Sequence, residues 1–201
     1  DGSFKAYFAS QSGGLSVWKS GNVSDVWTKQ VVTGLNETMN LQSLCIFNSR
    51  YFVCSESGKL YSSENGYDWI VTGGRADFLT LYGSLNRKYI NEPYPAYLIG
   101  LVKGSSGEIL PAKSNDGVNW TTGNALDADF PVTDYASVKG SNVTGVQFYT
   151  VATGLRQDGG FSTSVWSTEN GLDWIMVQNK TLFPKLFTAN KRGAHLFYYD
   201  S

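Results

Sequence analysis

A chain of 201 residues, 41% of them hydrophobic, is long enough to bury a substantial core, and a single β-domain is the expected organisation. A formal net charge of −1 and the lack of any long basic run exclude electrostatic capture of nucleic acid as the working mode. No apolar run reaches membrane-spanning length and no signal peptide is visible, so a mature or trimmed soluble protein is expected.

Aromatic residues at 14%, 22 glycines and only 16% charge describe many short strands joined by tight turns. In chain order, residues 4–10 read as a second strand, followed by Val17-Trp-Lys-Ser-Gly-Asn-Val-Ser-Asp-Val-Trp27, a loose copy of a motif that recurs later. The next unit reads as strands at 41–47, 51–55, 59–63 and 68–72. A third has strands at 78–82, 96–102, 109–114 and 119–122, and a fourth at 135–139, 147–152, 162–168 and 173–177. Residues 185–190 and 194–199 follow as an inner and a second strand. The repeat units span approximately 1–33, 41–73, 77–123 and 133–178, with a partial unit at 183–201.

Three segments carry the motif in full: Leu60-Tyr-Ser-Ser-Glu-Asn-Gly-Tyr-Asp-Trp69, Pro111-Ala-Lys-Ser-Asn-Asp-Gly-Val-Asn-Trp120 and Val165-Trp-Ser-Thr-Glu-Asn-Gly-Leu-Asp-Trp174. The tryptophans Trp27, Trp69, Trp120 and Trp174 recur at about 40–50 residues, the length of one propeller blade. Gly66, Gly117 and Gly171 are read as bends with positive φ. Glu64, Asn115 and Glu169, two residues before each glycine, are read as acceptors for the turn amides, helped by the hydroxyls of Ser62 and Ser167. Each tryptophan opens the next strand and wedges between sheets.

This motif resembles the Asp box, Ser-x-Asp-x-Gly-x-x-Trp, of sialidase-like and sortilin-type propellers, also known as the BNR repeat. With Glu, Asn and Glu at its third position, the chain is most similar to the degenerate repeats of bacterial surface propellers. The resemblance implies an all-β propeller or partial propeller of four-stranded antiparallel blades. About four blades are visible, with the box turn between third and fourth strands. It also implies that the boxes are folding turns remote from any active site. The first unit lacks its inner strand, which 185–190 can supply, leaving 194–199 surplus. Either the chain belongs to a larger ring or one strand assignment is wrong, and the incomplete ring is preferred.

The resemblance places a site on the face opposite the boxes, where the connections between units and the second-to-third turns gather. Its ionisable residues there are Glu37, Arg75, Asp77, Glu108, Asp127, Asp129, Arg156 and Asp158. Asp127 and Asp129 come nearest to the paired carboxylates of glycoside hydrolysis, but lie two apart on one loop. A sialidase holds its substrate carboxylate with three arginines. Only Arg75 and Arg156 map to this face, and the family's Tyr/Phe-Arg-Ile-Pro motif is absent. A long insertion, 83–95, presents Tyr89 and Tyr94 for sugar stacking or protein contact. Ligand-binding candidates are therefore Arg75, Asp77, Asp127, Asp129, Arg156, Asp158, Tyr89 and Tyr94.

Two cysteines and the single His195 cannot make a zinc site, and no regularly spaced oxygen-ligand loop occurs, so no metal or cofactor is expected. Cys45 and Cys54 fall on neighbouring strands, with two buried thiols preferred over a disulfide. Five sequons, at Asn22, Asn36, Asn119, Asn142 and Asn179, tilt the reading towards export. The expected function is a non-catalytic binding propeller, extracellular, surface-attached or periplasmic, that recognises a glycan or a protein. A glycoside hydrolase on a larger ring and a scaffold or assembly factor are the alternatives.

Overall fold

The computed structural model describes residues 4–9, 14–73, 75–83, 97–126, 132–142, 145–155, 161–168 and 170–180. All regular structure among them is β. Strands β1 (Phe4–Ala9), β2 (Leu15–Ser20) and β3 (Thr28–Gln30) make a three-stranded sheet in that order. Three four-stranded sheets follow, each in chain order. They are β4 (Met39–Phe47) to β7 (Ile70–Val71), β8 (Phe78–Gly83) to β11 (Thr121–Thr122), and β12 (Val132–Asn142) to β15 (Ile175–Lys180). Between these lie β5 (Arg50–Ser55), β6 (Leu60–Ser63), β9 (Leu98–Lys103), β10 (Ile109–Ser114), β13 (Gly145–Leu155) and β14 (Phe161–Thr168). Every strand pair with a defined register is antiparallel. The expected strands at 185–190 and 194–199 lie outside the described residues.

Two compact units result, Asp1–Thr121 and Thr122–Ser201. In the larger, period-two alternation gives the second sheet two apolar faces. Val53 and Tyr61 point one way, joining Leu15 and Val17 of the first sheet with Met39 and Trp69. Phe52, Cys54 and Leu60 point the other way, meeting Phe78, Leu81, Leu98, Val102 and Ala112 of the third sheet. Leu98, Ile99, Leu101 and Val102 of β9 are fully buried, each contributing about 2 kcal/mol by removal from water. In the smaller unit, Ser164, Trp166 and Thr168 of β14 are buried.

The hairpin of β4 and β5 turns at Asn48 and Ser49, both in the left-handed region (φ 47° and 61°), as a two-residue turn matched to strand twist requires. Its register shifts between Asn40 and Cys45, opposite Cys54 and Phe52. In that bulge Ser43 Oγ accepts the Cys54 amide at 2.8 Å and donates to the Asn40 carbonyl at 2.6 Å. Both cysteines are free thiols.

The glycine turns repeat one geometry, shifted by one residue from the sequence reading. Gly66, Gly117 and Gly171 have φ of 86°, 80° and 83°. The Gly66 amide donates to Ser63 Oγ at 2.8 Å, the Gly117 amide to Ser114 Oγ at 2.8 Å, and the Gly171 amide to Thr168 Oγ1 at 3.0 Å. The residue directly before each glycine takes the next two amides: Asn65 Oδ1 from Tyr67 and Asp68, Asp116 Oδ1 from Val118 and Asn119, Asn170 Oδ1 from Leu172 and Asp173. Glu64 and Asn115 are exposed and are not the turn's acceptors. Ser62 is not its hydroxyl either. It sits on the opposite face of β6, where its Oγ meets Thr72 Oγ1 at 2.7 Å and Arg50 Nη2 at 3.3 Å. A shift of one residue along a strand moves a side chain to the other face, which is why the two readings assign different residues. Glu169 and the Ser167 side chain lie outside the described residues. In the looser first copy Asn22 organises the turn, taking the Asp25 amide on its carbonyl and the Ser24 amide on its side chain.

The indoles follow two patterns. Trp120 and Trp174 donate from Nε1 to their own turn glycine's carbonyl, at 3.3 and 3.2 Å. Trp120 also meets Phe78 edge-on at 4.8 Å. Trp69 instead sinks into the core between the first two sheets, only 3% exposed.

Candidate functional site

The described part of the candidate face in the larger unit consists of the β3–β4 connection, the β5–β6 turn, the β7–β8 connection and the β9–β10 turn. Each is fixed by close backbone packing. Thr33 forms a parallel bridge with Asp68, its amide donating to the Tyr67 carbonyl and its carbonyl accepting from the Trp69 amide. Gly34, at φ 78°, passes so close to Trp69 that a Cβ would lie 1.8 Å from the Trp69 carbonyl oxygen. The β5–β6 turn rests on the next connection in the same way. The Phe78 amide donates to the Gly58 carbonyl at 3.0 Å, and a Cβ at Gly58 would lie 2.8 Å from the Ala76 oxygen.

Glu37 leaves the β3–β4 connection to reach the β5–β6 turn, where it accepts from Lys59 Nζ and Ser57 Oγ. Ser57 Oγ also meets Ser55 Oγ at 2.9 Å, and Ser55 Oγ accepts the Lys59 amide at 3.1 Å. The Lys59 ammonium, then the Ser57 hydroxyl, hold the Glu37 carboxyl down to about 2 from its usual 4.5, while Glu37 raises the Lys59 ammonium. Beside them Tyr61 donates to Asn36 Oδ1 at 3.2 Å. In sequence, Ser55 and Lys59 are strand positions and Asn36 a sequon, and none of them signals a partner for Glu37. The one sequence signal for the cluster was the pair of small hydroxyl residues flanking Glu56 ahead of Gly58.

Arg75 and Asp77 are brought together, on each other. Arg75 Nε reaches Asp77 Oδ1 at 2.9 Å and Nη2 reaches Oδ2 at 2.6 Å, a fork-to-fork pair that raises the guanidinium further. The side chains are 26% and 34% exposed, so the bidentate donor set that a ligand carboxylate would need is occupied. Glu108 turns back to accept the Ser106 amide at 2.9 Å. Asp127, Asp129, Arg156, Asp158, Tyr89 and Tyr94 lie outside the described residues. Among the described residues no group of three or more His, Cys, Asp or Glu is placed to hold a metal, and no helix is long and apolar enough to cross a membrane.

All three described carboxyls that depart from their usual range are held low. They are Glu37, Asp68, with Asn65 and Thr33 as donors, and Asp116, with the Asn119 and Val118 amides as its strongest donors. Because their folded values lie below their unfolded ones, the unfolded chain binds more protons in acid. The stability they contribute is present above about pH 4.5 and is lost as pH falls towards 2. The urea midpoint should therefore drop over that window, and Glu37→Gln and Asp116→Asn should each flatten the slope. A midpoint constant from pH 5 to 2 would contradict the assignment.

Antiparallel sheets in strict chain order, the first three packed on one another through their apolar faces, with a glycine–tryptophan turn that recurs in both units, define a β-propeller-type domain. The chain belongs to the DUF6242 beta propeller domain family, whose model matches residues 5–201. No curated protein matches the sequence. Among solved structures the chain is similar to the Bombyx mori GH32 beta-fructofuranosidase BmSUC1, with 13% identity, a TM-score of 0.48, and coverage of 89% of this chain and 46% of that one. It is also similar to an endo-1,4-beta-xylanase from Bacteroides thetaiotaomicron (9% identity, TM-score 0.47, coverage 90% and 70%). A thermostable family-43 glycoside hydrolase gives 13% identity, a TM-score of 0.44, and coverage of 75% and 57%. The chain thus spans about half the length of the first of these structures.

Proposed function

We propose that this domain is a non-catalytic binding propeller, with turns of the Asp-box kind, that presents its connection face to a carbohydrate or a protein partner in an exported or cell-surface setting. The observation that carries the reading is the state of the charged groups on that face. Glu37 is held by Lys59 and Ser57, Asp77 by Arg75, and Glu108 by a turn amide. A general acid needs a carboxyl raised towards neutral pH, whereas among the described residues of this face the one shifted carboxyl, Glu37, is pushed down. Such pairing supports a rigid platform, in which binding costs little ordering of the protein.

A glycan array and an affinity capture with the intact protein test the proposal together. Retention of a defined oligosaccharide or protein, unchanged in Asp127→Asn and Asp129→Asn, is expected. Hydrolysis of a bound oligosaccharide that disappears in either variant would overturn it in favour of a glycoside hydrolase.

A further inference from the structure

We propose that Cys45 and Cys54 form a fold-gated dithiol, kept reduced while the second and third sheets stay closed and tied into a disulfide that resists reclosure once the sheets part. The pair belongs neither to the connection face nor to the glycine turns. Cys45 lies opposite Phe52 across the β4–β5 ladder, and Cys54 is two residues further along β5, so the alternation of side chains puts both on one face. That face is the core shared with the third sheet, where Cys54 is fully buried and Cys45 packs against the same cluster.

Two features keep the thiols apart and unreactive in the closed fold. Diagonal neighbours on an antiparallel pair stand about 7–8 Å apart, whereas a disulfide spans about 4.4–6.8 Å between Cα atoms. The Ser43 bulge is clamped to the Cys54 amide and holds the backbone at that position. On that diagonal spacing, bond formation needs the backbone to move. Burial also pushes the Cys45 thiol up to about 12, with the nearby Cys54 adding to it, and the Cys54 thiol to about 11. From a usual 9.0, this lowers the thiolate fraction about a hundred- to a thousand-fold.

Opening removes both restraints. One protein thiolate attacks a sulfur of a small disulfide such as glutathione disulfide, expelling one glutathione thiolate. The second protein thiolate then attacks the protein sulfur of that mixed disulfide and expels the other glutathione. The two protein thiols lose two electrons and two protons, and the oxidant gains them as two thiols. The product joins positions that the native ladder holds offset, so oxidation and the closed core oppose each other.

The intact protein is incubated with glutathione disulfide, natively and in urea, then returned to buffer, weighed by mass spectrometry and melted with and without dithiothreitol. The native sample should keep its mass, at a rate at least about a hundred-fold below the unfolded one. The urea-treated sample should lose two hydrogens, melt several degrees lower and recover with dithiothreitol. Cys45→Ala, taken through the same cycle, should keep its own melting temperature once any glutathione adduct is reduced. Oxidation of the native chain at the unfolded rate, an oxidised chain that regains the full melting temperature, or two glutathione adducts in place of the internal bond would each overturn the proposal.

Discussion

Replacing Gly66 by alanine is expected to cost about 2–4 kcal/mol of unfolding free energy, combining overpacking with a side chain in the left-handed region. The turn needs φ of 86° at this position, and the space beside the glycine is already filled. A Cβ would lie 2.2 Å from the Tyr7 hydroxyl, with Lys5 and Tyr51 next at 3.4 Å. Tyr7 comes from β1 of the first sheet and packs against Tyr51 of the second, ring centres 6.0 Å apart. The same arrangement recurs one sheet later, where a Cβ at Gly117 would lie 2.5 Å from the Phe52 ring. An aromatic side chain of one sheet thus enters a socket that the glycine of the next sheet leaves open. Gly117→Ala should show a loss of similar size in urea denaturation.

Gly34→Ala should be at least as damaging, by more than about 3 kcal/mol, because the obstructing atoms are backbone. The Trp69 carbonyl oxygen and carbon would lie 1.8 and 2.8 Å from the new methyl group, so no rotamer change relieves the contact. The β3–β4 connection would have to lift, breaking the bonds between Thr33 and the Tyr67 carbonyl and Trp69 amide. Faster hydrogen exchange at the Thr33 and Trp69 amides, together with the fall in stability, is the expected result. A variant within about 0.5 kcal/mol of the parent would show that the connection is not docked there.

The architecture was legible because it is written in local chemistry that repeats. Glycine before a tryptophan, the run of polar turn residues and the short apolar, aromatic-rich runs between turns, such as residues 51–54, are each visible in a short window. The turn acceptors were misplaced by one residue because Ser62-Ser63 and Glu64-Asn65 offer two adjacent residues of suitable chemistry. Only the side of β6 that faces the turn distinguishes them, and that depends on the neighbouring sheets. The β4 bulge was hidden for a related reason, since Ser43 replaces a ladder acceptor through a side chain that in sequence reads as an ordinary strand position. At the candidate site the sequence placed Glu37, Arg75 and Asp77 among the connections. It could not show that Arg75 is spent on Asp77, or that Glu37 finds Lys59 some twenty residues on. Those partners are set by how one connection lies across the next turn, a long-range property with no local periodicity.

The socket between sheets is tested most directly by a double-mutant cycle of Gly66→Ala with Tyr7→Phe. Removing the hydroxyl deletes the one atom within 3 Å of the new methyl group. The Tyr7→Phe background should therefore recover about 1 kcal/mol or more of the Gly66→Ala loss, leaving the part due to backbone conformation. If the two losses simply add, Tyr7 does not occupy the space beside Gly66, and the packing of one sheet into the turn of the next is wrong.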